Sequence, residues 1–196
     1  MGRLNHHWVR AGLAALAVGT ALFGLGIAAY AVHVCASATA LIDSASRIHT
    51  LADAEREVAK WRERLGKEFW MESDNPGRSV NYYARVRTLR IAHLHLVKSS
   101  EVMTRVTVSN GKLLCVTVFV QTPEAPVAIQ EWFNENRSNL FYLSSIKGAP
   151  PTARVQFSSS LPDVERGKAF AVRTRCLVLP FGCNSAEDVL PVIRDM

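Results

Sequence analysis

Residues 11–32 read AGLAALAVGTALFGLGIAAYAV, 22 consecutive positions without a charged side chain. As a helix, such a run rises about 1.5 Å per residue and spans the roughly 30 Å hydrocarbon core of a bilayer. A lone segment can cross there only as a helix, because no water is present to satisfy its backbone groups. Trp8 and Tyr30 stand near the two ends of the run, at the depth where amphipathic rings favour the headgroup layer. Arg3 and Arg10 precede it, while Arg47 follows and is opposed by Asp43. This small basic bias places the N-terminus inside and the remainder outside.

A cleaved signal peptide is the rival reading, with Ala36-Ser37-Ala38 as the small-x-small site. Cleaved signals carry apolar stretches of about 7–15 residues, and this one is longer. Lipoprotein processing at Cys35 is disfavoured further, since Val34 occupies the position that needs a small residue. Retention of the helix is therefore preferred over cleavage near Ala38. Thr20, Gly24 and Ala28 recur every four residues, a small-xxx-small row through which two such helices can approach and form a homodimer.

These features divide the 196 residues into a cytoplasmic tail (1–10), a transmembrane anchor (11–34), a stalk or helix continuation (35–49) and an extracytoplasmic domain (50–196). The last segment is long enough to bury a core of its own. Of the 23 basic residues, 21 follow the anchor run, as do all 17 acidic ones. The exported part is thus mildly basic, which suits anionic surfaces; its location argues against nucleic acid as a partner.

Thr50-Leu51-Ala52-Asp53 has the form of a capping box, in which the Thr50 hydroxyl and the Asp53 carboxylate satisfy each other's free amides. From there Leu51, Ala54, Val58, Trp61 and Leu65 recur at steps of three and four, predicting an amphipathic helix over 51–65 stopped by Gly66. Glu55 and Glu57 are assigned to its polar side. The period then changes to two: Val80, Tyr82, Ala84 and Val86 alternate with polar residues, and residues 89–97 continue the pattern.

Asn110-Gly111 separates two β-branched runs, 101–109 and 112–121. A two-residue type I′ turn needs positive φ at both centres, which Asn-Gly accepts best. Counting from that turn pairs Val108 with Leu113, Val106 with Cys115 and Val102 with Phe119. The expected core face is Val102, Val106, Val108, Leu113, Cys115 and Phe119, with Met103, Arg105, Thr107, Lys112, Leu114 and Val116 behind it. Further strands are predicted over 127–133, 140–146 and 154–158, a turn or helical turn over 161–166, and a last strand alternating through Phe170, Val172, Thr174, Cys176 and Val178. Asn184 or Ser185 caps a short C-terminal helix through Glu187 or Asp188. The expected class is α+β: an N-terminal transmembrane helix, an amphipathic helix packed on an antiparallel sheet, and a short C-terminal helix.

Cys176 and Cys183 flank LVLPFG, in which Pro180 and Gly182 favour a turn back. A disulfide between them suits an exported domain, and the six-residue spacing is not the C-x-x-C of a redox-active pair. Cys115 reads as a small buried hydrophobe; Cys35, at the outer edge of the anchor, is left open as a thiol, a crosslink or an acylation site. His93 and His95 lie two apart on a predicted strand and share a face, so both could reach one metal, although a zinc site needs three or four ligands. Arg85, Arg87 and Arg105 share a sheet face with Arg90 nearby, a candidate contact for anionic partners.

Neither Gly-x-Ser-x-Gly, Ser-x-x-Lys, H-E-x-x-H, C-x-x-C nor a Gly-rich phosphate loop occurs, so no reaction and no cofactor are assigned. The ending, with Ala169-Phe170, Cys176-Leu177, Gly182-Cys183 and Leu190-Pro191, resembles the C-terminus of some uncharacterised bacterial membrane-anchored extracytoplasmic proteins over about thirty residues. That resemblance implies an envelope location and no particular activity. The expected function is a tethered binding or scaffold module in the bacterial inner membrane, contacting lipid through its helix and an envelope protein or anionic polymer through its domain. The alternative is a hydrolase-like envelope enzyme whose site is assembled by folding around His93 and His95.

Overall fold

The uncharged run forms part of one long helix, α1 (Leu4–Ser46). The computed structural model describes residues 4–74, 78–88, 100–122, 125–133, 153–178 and 183–195. The chain divides into two units, Met1–His33 and Val34–Met196. Within the first, Leu16, Leu22, Phe23 and Leu25 are each 56–66% exposed, and among the described residues α1 holds one candidate span, long and apolar enough to cross a membrane. Leaving such side chains in water is unfavourable by roughly 1.5–3 kcal/mol each relative to burial in an apolar phase. Thr20 satisfies its hydroxyl inside the helix, donating to the carbonyls of Leu16 (3.0 Å) and Ala17 (2.9 Å).

The second unit begins while α1 is still running. Ala38, Leu41, Ile42 and Ala45 of α1, with Ile48 just beyond it, are buried in the core. Helix α2 (Leu51–Leu65) starts at the expected capping box: the Asp53 amide donates to Thr50 Oγ1 at 3.2 Å and the Thr50 amide to Asp53 Oδ2 at 3.1 Å. It ends at Gly66, whose φ of +51° a β-carbon would oppose. Ala54, Val58 and Trp61 fill the core, as the spacing predicts. Glu57 does not lie on the polar side as expected; it is buried with them. The Ser44 hydroxyl donates to its carboxylate, Lys60 Nζ lies 2.6 Å away, and Trp61 Nε1 donates to Ser44 Oγ at 2.8 Å. A charge under α2 is thus satisfied from both helices.

Among the described residues six strands follow the order β1 to β6: β1 (Phe69–Asp74), β2 (Ser79–Arg87), β3 (Glu101–Ser109), β4 (Lys112–Gln121), β5 (Val127–Trp132) and β6 (Ala153–Ser158). β1 was not anticipated. The first five strands pair antiparallel, but β5 and β6 are parallel, so the sheet is mixed rather than antiparallel. A parallel pair cannot be joined by a hairpin and needs a longer crossover, information that turn residues do not carry. The expected strands over 89–97 and 140–146 lie outside the described residues.

Asn110 (φ +50°) and Gly111 (φ +68°) make the expected turn, and Val108 pairs with Leu113. One residue later the register shifts: Thr107 pairs with Cys115 and Val106 with Val116, leaving Leu114 as a bulge. An extra residue on one strand exchanges the faces beyond it. The core face therefore carries Val102, Thr104, Val106, Val116, Val118 and Val120, while Cys115 and Phe119 move to the opposite face and Val116 moves inward.

After β6 the chain forms α3 (Asp163–Ala169), and then, in place of the expected final strand, a 3-10 turn over Thr174–Leu177. Phe170 and Leu177 enter the core, while Thr174 bonds to Thr39 of α1 at 2.9 Å and its carbonyl accepts from Cys35 Sγ at 3.4 Å. The apolar alternation here does not make a strand: Phe170 packs edge-on against Phe157 of β6, ring centroids 5.7 Å apart. A short helix α4 (Ala186–Val189) is capped by Ser185 and Asp188, as the sequence suggests.

Arg166 of α3 closes the unit. Its Nε and Nη2 each lie 2.7 Å from a carboxylate oxygen of Glu131 on β5. The same guanidinium donates to the carbonyls of Ser46 and Ile48 (3.0 Å to the latter) and covers the Phe170 ring at 5.2 Å. The Ser46 carbonyl ends α1, where helical partners run out, and that of Ile48 lies just beyond it.

Candidate functional site

The helices cover one face of the sheet, and chemistry collects on the other. Alternation along β1 to β3 brings Trp70, Glu72, Asn81, Tyr83, Arg85, Arg87, Met103, Arg105 and Thr107 to that second face, in register across the strands. The predicted grouping of Arg85, Arg87 and Arg105 on one face is therefore observed at the level of register, though their surroundings differ.

Arg85 Nε lies 2.9 Å from Glu68 Oε2, and its guanidinium covers the Trp70 ring at 4.9 Å. Trp70 in turn stacks on Tyr83, ring centroids 4.9 Å apart and planes within 5°. Trp70 is thereby packed against two side chains of β2 and braces the two strands. Arg87 pairs with Glu101 directly across the strands at 3.4 Å, with Glu68 at 4.0 Å. Two of the three arginines thus have carboxylate neighbours within the domain. Glu68 immediately precedes β1, a strand without a two-residue period in the sequence to announce it; the Arg87–Glu101 pairing follows from a register that the sequence leaves free.

Arg105 differs. Its guanidinium lies over Phe119 at 5.5 Å and bonds to the Tyr83 hydroxyl. Among the described residues no carboxylate lies within ion-pair distance of it, and its Nε is buried without an acceptor. Burial, with the neighbouring Glu72 charge, pushes the Tyr83 phenol up, and the bond from Arg105 pulls it part of the way back.

On the β4–β6 side the same face is polar and closed. Gln156 Nε2 donates to Gln130 Oε1 at 2.7 Å, Gln130 Nε2 approaches Cys115 Sγ at 3.4 Å, and Cys115 lies 3.3 Å from Thr117 Oγ1. Burial raises the Cys115 thiol above its ordinary range, against hydrogen bonds from Thr117 and Gln130 and the charge of Arg105. A neutral buried thiol is a poor nucleophile. On the helix side of the sheet, an open groove of about 190 Å³ runs between α2 and the strands, lined by Leu51, Ala54, Val58, Arg62, Tyr82 and Val108.

His93 and His95 lie outside the described residues, as does the side chain of Cys176; Cys183 is buried. Among the described residues no group of three or more His, Cys, Asp or Glu side chains is placed to hold a metal. Their free thiols are Cys35 and Cys115. No protein family, curated protein or solved structure matches the chain.

Proposed function

We propose that this chain is a membrane-tethered binding or scaffold module of the bacterial cell envelope, with Val34–Met196 outside the cytoplasm. The observation that carries the reading is the part of α1 within Met1–His33, whose large apolar side chains are more than half exposed over several turns, long and apolar enough to cross a membrane. Two sequence features support the orientation: Arg3 and Arg10 ahead of the span, and Cys176 with Cys183 as a disulfide that persists only in an oxidising compartment. The partner is an envelope protein or an anionic polymer met by the second face of the sheet, and the Thr20, Gly24 and Ala28 row is the contact for a second copy of the helix.

The test is crosslinking in intact cells, detergent extraction of the full chain, and identification of what is recovered with it. A stoichiometric envelope partner is expected, and its recovery should fall when residues of the second face are substituted. Recovery of no envelope component, or of one indifferent to that face, rejects the binding role.

A further inference from the structure

We propose that Arg105 is the anchor of an oxyanion-binding position on the second face of the sheet, taking a carboxylate or phosphate group of the ligand. This deepens the binding reading above and rests on it for the choice of face, although the chemistry is independent of which side of the membrane the domain occupies.

The argument begins with charge. A guanidinium half withdrawn from water loses hydration and must recover it from acceptors. Arg85 does so through a hydrogen bond to Glu68, and Arg87 has the Glu101 carboxylate within ion-pair distance. Arg105 sits among Tyr83, Thr117 and Phe119, groups without formal charge, and its Nε has no acceptor among the described residues. Its charge also reaches Cys115, which places it close to the Thr117–Gln130–Gln156 row of hydroxyl and amide groups. Two of these neighbours have partners of their own: Tyr83 is stacked on Trp70, and Gln130 accepts from Gln156. A cation over an aromatic ring, bonded to one phenol, with hydroxyl and amide groups beside it and no carboxylate at ion-pair distance, is an arrangement that takes a planar or tetrahedral oxyanion. Tyr83, already bonded to Arg105 and Glu72, sets the orientation of the fork and acts as a positioning residue.

Phosphate and acetate, each against chloride at matched ionic strength, are the probes for the purified full chain in detergent. A saturable rise in Tm of about 2–4 °C is expected once the effective anion stands several-fold above its Kd. The rise should vanish in Arg105→Gln and survive in Lys112→Gln, which removes an exposed cation elsewhere on the same hairpin. Whichever anion acts identifies the group as phosphate or carboxylate. No rise with either anion, or a rise that persists in Arg105→Gln, overturns the proposal. Should Arg105→Gln not fold, Arg105→Lys keeps the charge and removes the fork. An apparent Kd weakened about tenfold in that variant supports the assignment, and an unchanged one overturns it. Failure here with an envelope partner still recovered by crosslinking removes the anion site alone; success without a partner removes the scaffold role alone.

Discussion

Glu131 and Arg166 stand 35 positions apart and meet in the core through two 2.7 Å bonds, the carboxylate fully buried and the guanidinium nearly so. The pair is more than an isolated ion pair, because the same guanidinium takes up the Ser46 carbonyl at the end of α1 and that of Ile48 just beyond it. One side chain of α3 thus ties β5 to the helix that begins the chain. Arg166→Met should destabilise the folded unit by about 3–5 kcal/mol, since it leaves a buried carboxylate without a partner. Joint replacement, Glu131→Leu with Arg166→Met, should cost less than Arg166→Met alone, because no charge is then stranded. Urea midpoints of the three proteins check the order.

Acid should act on two buried carboxylates in opposite directions. At Glu57, burial pushes the carboxyl up, but bonds from Lys60 and Ser44 and the charges of Lys60 and Arg47 outweigh it, so it lies below the usual range. Its stabilising contribution is present above the unfolded value of about 4.3 and is lost as pH falls through the folded value. At Glu131 burial wins over Arg166 and the carboxyl is raised, so its ionisation lowers stability as pH rises from the unfolded to the folded value. Glu57→Gln should therefore flatten the loss of stability between pH 5 and 3, measured by urea unfolding at several pH values.

Much of this was legible locally. The Thr50–Asp53 box, the Asn110-Gly111 turn and the strand expected over 154–158 each rest on residues a few positions apart. Glu57 could have been found: it lies three residues after Ala54 and four before Trp61, inside the apolar stripe, and was misread because a charge on a helix defaults to water. Arg166 offered no such signal, since its partner is 35 positions away. Nor did the bulge at Leu114, which carries Cys115 and Phe119 to the second face and so decides what surrounds Arg105. The grouping of Arg85, Arg87 and Arg105 followed from the two-residue period, but the carboxylates beside the first two come from a strand and a register set by the fold.

The division of the chain has a direct consequence for truncation. A fragment beginning at Val34 retains Ala38, Leu41, Ile42 and Ala45 and should fold without the membrane span. One beginning at Thr50 loses those side chains and the carbonyls that Arg166 binds, and should not. Near-UV circular dichroism and proton NMR dispersion of the two fragments distinguish the outcomes.

Alkylation under denaturing conditions reports on the cysteines. Without reductant, two of the four thiols should react, Cys35 and Cys115, and all four after reduction. Closure of the 176–183 loop should add about 2–3 kcal/mol in the chain-entropy view, visible as a lower urea midpoint under reducing conditions.

Placement of the folded unit outside the cytoplasm is tested most directly by a thiol introduced at an exposed position. Lys112→Cys, in a Cys35→Ala background, puts one at the tip of the β3–β4 hairpin. Labelling with a membrane-impermeant maleimide in intact spheroplasts, with the protein retained in the membrane pellet after carbonate extraction, is the expected result. Labelling only after the membrane is permeabilised, or release of the chain by carbonate, would contradict it.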